Sequence, residues 1–181
     1  KEDLNKFKII YSGRIVLNKG LVSYINLIEK LPKNEFILYL VGELLVDNKF
    51  LLKLKKLEKE KKLKILKTIN KKKLYKLLSE CNLFIHISFH KQEGMPNSIL
   101  DAIECNIPVL CNPCGFIDDL YNCNHLNFVN NNDDLIFSKV KEIKNNYNFF
   151  KSKALHANEY TKSYYSEKMY LKYLKEIYSS I

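Results

Sequence analysis

Two carboxylates, one guanidinium and one ammonium are the groups in this sequence best placed to act together. Glu93 and Asp101 lie eight residues apart in His90-Lys91-Gln92-Glu93-Gly94-Met95-Pro96-Asn97-Ser98-Ile99-Leu100-Asp101. Glu93 falls in a glycine-containing loop, and Asn97 or Ser98 is of a type that caps the start of the following helix. Free N–H groups at such a helix start attract an anion. Asp101 falls about one turn into that helix, so the two acids can flank an anion cradle from two sides. Carboxylates accept hydrogen bonds from hydroxyls, often two from one vicinal diol. Far upstream, Arg14 is the single Arg in a chain whose other 29 long cations are Lys, and it directly follows Gly13. Its planar fork of donors suits a diphosphate in a way Lys does not. Lys19 stands five residues on, before Gly20, and can add a second positive charge to the same group. The plainer roles stay open for all of them: a capped helix with an acidic first turn, a surface Arg, a helix-initiating Lys.

A second constellation is Cys111, Cys114, Cys123 and His125, whose C-x2-C and C-x-H spacing could make a Cys3His zinc site. Against it, Cys111 ends an apolar strand-like run and the second pair lacks the usual spacing. The expectation is therefore no metal and unpaired thiols. No D-x-D sequence is present.

The elements that must hold these groups are legible from periodicity. Continuous apolar runs at Phe7 to Tyr11, Phe36 to Val41, Leu63 to Leu66, Leu83 to Ile87 and Pro108 to Cys111 read as strands, with a sixth at Asn127 to Val129. Between them, Leu21 to Leu31, Asp47 to Lys61, Lys71 to Cys81 and Ser98 to Cys105 have helical spacing. In the second of these, Leu51, Leu52, Leu54 and Leu57 are expected inward; in the third, Leu74, Leu77 and Leu78. From Asp133 to the end the chain reads as helical. Strands apolar throughout are covered on both faces, so alternation with helices predicts a Rossmann-like open parallel α/β sheet sandwiched by helices. Ligands of such sheets bind at the carboxyl ends of the strands, where Arg14 and the Glu93 loop both fall. A crevice with a phosphate cradle between two diol-binding acids fits a ligand in which sugar, phosphate and sugar follow one another, a nucleotide sugar.

Composition bounds the alternatives. The chain has 181 residues, 46% hydrophobic and 28% charged, with 12 Tyr and 10 Phe, which suits one globular domain and excludes disorder. No apolar run nears the roughly 20 residues of a membrane-spanning helix. The start, Lys1-Glu2-Asp3-Leu4, lacks a signal-like apolar stretch, and the cysteine count of five is odd. Both lead to the expectation of a cytoplasmic protein with free thiols, with peripheral contact at an inner membrane face as a further expectation. The net charge of +10 comes from Lys spread along helices, as in Lys53 to Lys56 and Lys59 to Lys62. Solvated helix faces explain it, and the scarcity of Arg argues against nucleic acid.

Four segments in order, YSGRIVLNKG, LYLVGE, EGMPNSILDAIECNIPVL and CGFIDD, carry a resemblance over nearly the whole chain, from about Phe7 to the last helix. They resemble the C-terminal, donor-binding half of the retaining group 1 (family 4) glycosyltransferases, which have the GT-B fold. The resemblance implies that Gly13, Arg14 and Lys19 bind the donor diphosphate and that Glu93 contacts the transferred sugar. It also implies that Asp101 holds the ribose hydroxyls and that Gly42 and Glu43 lie near the nucleoside. Gly94, Met95, Pro96, Asn97 and Ser98 would line sugar and phosphate, and Asp119 would match an acid after the fifth strand. Cys114 and Gly115 belong to that loop. Glu93, Arg14 and Lys19 would carry the catalysis. The donor would be a UDP- or GDP-sugar, no cofactor would be required, and the product would retain its anomeric configuration. The acceptor would be a glycan or lipid-linked sugar.

The chain departs from the pattern in several places. The second acid is Asp101, one methylene short; Pro96 has no N–H where relatives have Gly; Gly115-Phe116 stands for a Gly-Gly pair. Ser88 to Gln92 is about two residues longer than usual. His90, in that longer segment, either faces the crevice or is merely exposed. Residues 1–181 are expected to form a single domain with a helical tail from about 149 to 181. The acceptor-binding N-terminal domain would then come from the same natural chain or from a partner chain. Two rivals stand beside this reading: a non-catalytic nucleotide-sugar-binding subunit, and a basic nucleic-acid or membrane-surface domain.

Overall fold

The computed structural model describes residues 5–90, 94–114 and 126–179. Six strands form one sheet: β1 (Phe7–Ser12), β2 (Phe36–Val41), β3 (Leu63–Leu66), β4 (Leu83–His86), β5 (Val109–Cys111) and β6 (Asn127–Phe128). Every pairing is parallel, in the order β3-β2-β1-β4-β5-β6. The register runs Phe7 to Phe36 through Ser12 to Val41, and Ile9 to Leu83 on the other side of β1. All six residues of β2 are buried, as a strand covered on both faces must be.

Helices α1 (Leu21–Lys30), α2 (Asn48–Lys59), α3 (Lys71–Ser79) and α4 (Asn97–Glu104) alternate with the strands, and α5 (Asp133–Asn145), α6 (Tyr147–Tyr164) and α7 (Glu167–Ser179) follow them. Asp47 and Asn70 cap α2 and α3 through their side chains, each accepting from a backbone N–H three residues on. One core cluster joins the sheet to α1, α2 and α5 through Tyr24, Ile28, Leu54, Leu57, Ile136 and Val140. The other joins it to α3 and α4 through Leu78, Ile99, Ala102 and Ile103. Helix α6 serves both, with Phe150 in the first cluster and Ala157 in the second.

The open parallel sandwich is as expected, and four details correct the sequence reading. Leu52 is 68% exposed, because the buried stripe of α2 is only Leu54 and Leu57. Leu74 and Leu77 only edge the core, leaving Leu78 as the buried residue of α3. The helical end is three helices, broken at Asn146 and again after Tyr164. The residue before α4 is Pro96, with no capping side chain; Asn97 and Ser98 are already helical. The ring of Pro96 fixes its φ at −71° in extended backbone, and it enters the helix from there.

Candidate functional site

The strand order reverses between β1 and β4. Chain leaving β1 enters α1 on one face of the sheet, and chain leaving β4 enters α4 on the other. The two connections diverge at the carboxyl rim, and it is in the crevice between such diverging connections that open α/β sheets bind ligands. Gly13, Arg14, Lys19 and the segment from Gly94 to Ser98 all lie on connections that open from that reversal.

Backbone contacts draw the rim together. The Gly13 N–H donates to the Val41 carbonyl at 2.9 Å, and the Ile15 N–H to the Glu43 carbonyl at 2.8 Å. The turn after β1 therefore runs beside Gly42 and Glu43 after β2. The approach is so close that a Cβ on Gly42 would lie 1.9 Å from the Gly13 carbonyl oxygen. With φ at +146°, Gly42 also has backbone that other residues rarely adopt. The Tyr11 hydroxyl donates to the Arg14 carbonyl at 2.8 Å, which fixes the peptide while the guanidinium stays exposed.

Lys19 closes a single 3-10 turn, Leu17–Lys19, and Gly20 caps α1 with φ +74°. A Cβ on Gly20 would lie 2.5 Å from the Ile87 carbonyl oxygen, so the start of α1 presses directly on the end of β4. Three groups fasten the residues that leave β4. The Tyr24 hydroxyl accepts from the Ile87 N–H at 2.8 Å and donates to the Ile87 carbonyl at 3.3 Å. The Asn112 side chain accepts from the Ser88 N–H at 2.8 Å and donates to the Ser88 carbonyl at 2.7 Å. The Phe89 N–H donates to the Asn18 carbonyl at 2.9 Å. Tyr24 and Asn112 are both buried. Sequence reasoning missed them, although a Tyr on an apolar helix face and an Asn directly after an apolar strand each need a partner when buried.

On the α4 side, Pro96 is buried, Met95 packs part of its side chain into the second core cluster, and Asn97 is exposed. The N–H groups of the first helical turn carry the partial positive charge of a helix start. Asp101 lies in the second turn, and no acid lies in the first. The expected acidic first turn is thus absent, and a dipole contact is a poor account of Asp101. Its side chain, 23% exposed, turns to α3: the Tyr75 hydroxyl donates at 2.7 Å and the Lys71 ammonium stands 3.6 Å away. Neither partner was anticipated. Their spacing of four residues on one helix, opposite the acid four residues into the next, was the available signal.

Beside Gly42 and Glu43 the rim opens into a cleft of about 720 Å³, lined also by Leu51, Lys55, Ile65 and Thr68. The resemblance assigned this neighbourhood to the nucleoside. Glu93 lies outside the described residues, as do Gly115, Phe116, Asp119, Cys123 and His125. Of the proposed zinc ligands, Cys111 is fully buried in β5, and burial pushes its thiol well above the usual range. Among the described residues, no three His, Cys, Asp or Glu side chains are grouped to hold a metal ion, and no helix is long and apolar enough to cross a membrane.

The sequence matches the family model described as "Glycosyl transferases group 1" over residues 1–163. The chain belongs to the group 1 glycosyl transferases. No curated protein matches it significantly. Among solved structures, this glycosyl transferase chain is similar to Anabaena HepE, crystallised with UDP-glucose, at 18% identity and a TM-score of 0.82. That match covers 98% of this chain and 50% of HepE. A glycosyltransferase from Rickettsia africae gives 18% identity and a TM-score of 0.80, covering 97% of this chain and 48% of that one. The C-terminal domain of the group 1 protein LpcC from Francisella tularensis gives 16% identity and 0.74, covering 89% of this chain and 87% of that domain. These likenesses show the fold, one Rossmann-like half of GT-B type. The glycosyl transferase chain spans about half the length of the HepE and Rickettsia proteins.

Proposed function

We propose that this chain is the donor-binding half of a retaining, family 4 type hexosyltransferase that uses a nucleotide-diphosphate sugar and a glycan or lipid-linked acceptor. The observation that carries the reading is the crevice at the β1/β4 reversal, where the only guanidinium, a second cation and a helix start lie on the two connections that border it. HepE, similar in fold, was crystallised with UDP-glucose. An N-terminal domain, in the same natural chain or a partner, would supply the acceptor site.

In this mechanism the bond between the anomeric carbon and the diphosphate oxygen breaks, and the electron pair leaves with the diphosphate. Arg14, Lys19 and the N–H groups opening α4 neutralise that growing charge, in a crevice that the N-terminal domain would cover. Glu93 orients the sugar, contributing position more than proton transfer. Asp101 accepts from the ribose hydroxyls, and Gly42 and Glu43 border the nucleoside. The acceptor hydroxyl oxygen then bonds to the anomeric carbon on the face the diphosphate leaves, and its proton passes to the departing diphosphate oxygen. A cytoplasmic location accords with Cys81, Cys105 and Cys111 forming no disulfide among the described residues.

The test is a calorimetric and thermal-shift panel of UDP, GDP and ADP with their common sugar conjugates. A ligand bound only by the folded chain raises stability by RT ln(1 + [L]/Kd), so one base and one sugar should stand out at constant salt. Equal, weak and steeply salt-dependent shifts for all of them would instead mark a generic polyanion surface and end the reading.

A further inference from the structure

Tyr75 hydrogen-bonds two carboxylates with one hydroxyl. Its oxygen is 2.7 Å from Asp101 Oδ1 and 2.6 Å from Glu104 Oε2. Asp101 and Glu104 are three residues apart on α4 and so project from the same side of that helix. The Lys71 ammonium completes the group, 3.6 Å from Asp101 Oδ1 and 5.1 Å from the Tyr75 ring centre. A phenol has one proton, so it cannot serve both acids fully at once. When the proton points at Asp101, the 2.7 Å hydrogen bond fixes where Oδ1 of that carboxylate stands. Asp101 has a single methylene and few rotamers, so a held Oδ1 leaves Oδ2 pointing in one direction.

We infer that Tyr75 is a positioning residue: it donates to Asp101 Oδ1 from α3, with Glu104 as the competing acceptor beside it, so that the other carboxylate oxygen of Asp101 is presented to the ribose diol of the bound nucleotide. This rests on the reading of Asp101 as the ribose-binding acid given above. The phenol remains a donor throughout the working range, since burial and the two acids both raise its pKa. Lys71, largely exposed, adds an attraction to the same Asp101 oxygen from 3.6 Å. The hydrogen bonds and ion pair of this group run between α3 and α4, so its effect is expected on the diol rather than on the diphosphate.

The experiment measures affinity for UDP, GDP and ADP, then compares the tightest with its 2′,3′-dideoxy form, in wild type, Tyr75→Phe and Asp101→Asn. Phe keeps the ring, its packing and the contact with Lys71, so the fold is expected to survive, and melting curves check that it does. Wild type should prefer the ribonucleotide about five- to tenfold, as one or two hydrogen bonds would give. Tyr75→Phe should lose most of that preference while binding the dideoxy form as wild type does. Preference retained in Tyr75→Phe but lost in Asp101→Asn would overturn the role of Tyr75 and leave the functional reading standing. Equal weakening of both nucleotides in Tyr75→Phe would also overturn it, since that is the mark of lost packing. Wild type that binds without telling ribose from dideoxyribose would remove Asp101 from the ribose and the inference with it. Binding of none of the three diphosphates would overturn the functional reading itself.

Discussion

The two sides of the crevice are built from different materials. The side that follows β1 and β2 is mainly backbone: Gly42 and Gly20 let main chain lie against main chain, and one exposed guanidinium stands on that base. The α4 side is side-chain chemistry: Asp101, Tyr75, Glu104 and Lys71 meet across two helices. Backbone packing tolerates no added atom, whereas a polar cluster at a helix surface can lose a member and keep its helices. Disturbing the backbone packing of the first side should therefore cost the fold, and disturbing the polar side chains of either side should cost only recognition.

The largest effect is expected for Gly42→Ala. Its Cβ would overlap the Gly13 carbonyl at a φ of +146°. A loss of roughly 3 kcal/mol or more follows, seen as a fall in Tm of several degrees. A Tm within a degree of wild type would show that the close approach is dispensable. Next is Arg14→Lys, which keeps the charge and loses the fork. Affinity for the nucleoside diphosphate should drop about tenfold or more with Tm unchanged, as charged hydrogen bonds contribute roughly 1.5–3 kcal/mol each. Isothermal calorimetry decides it, and unchanged affinity would take Arg14 out of the site. Asp101→Asn should be milder: an intact fold and a several-fold weaker nucleoside contribution, at about 1 kcal/mol for the altered hydrogen bonding. Global unfolding of that variant would give Asp101 a structural role instead. The smallest effect belongs to Lys71→Met. An exposed ion pair contributes at most about 1 kcal/mol, so nucleotide affinity should change no more than a few-fold, and only at low salt.

The fold was legible because periodicity carries it: each apolar run became a strand and each amphipathic stretch a helix, with ends shifted by a residue or two. Leu52 misled because its type fits an inward stripe while its angle on α2 does not. On the site, the connections bearing Arg14 and Lys19 could be placed at the sheet's rim because strand ends are fixed by composition. The partners of Asp101 could not, since a contact between α3 and α4 depends on how two helices are set across the sheet. The clamps Tyr24 and Asn112 were hidden for a related reason: each serves a backbone group at least 24 residues distant in sequence. Pro96 before α4 shows a local limit as well, since Asn97 and Ser98 look like better caps than the residue that holds the place.

Asn112 gives the residues leaving β4 the pair of hydrogen bonds that a neighbouring strand would otherwise offer, and Tyr24 does the same one residue earlier. The sheet is in effect extended by two borrowed peptide mimics before the chain is released. Length changes beyond Phe89 are thereby insulated from the strands behind it. On the donor-binding reading proposed above, a change of sugar would be met in that segment while the scaffold stays as it is.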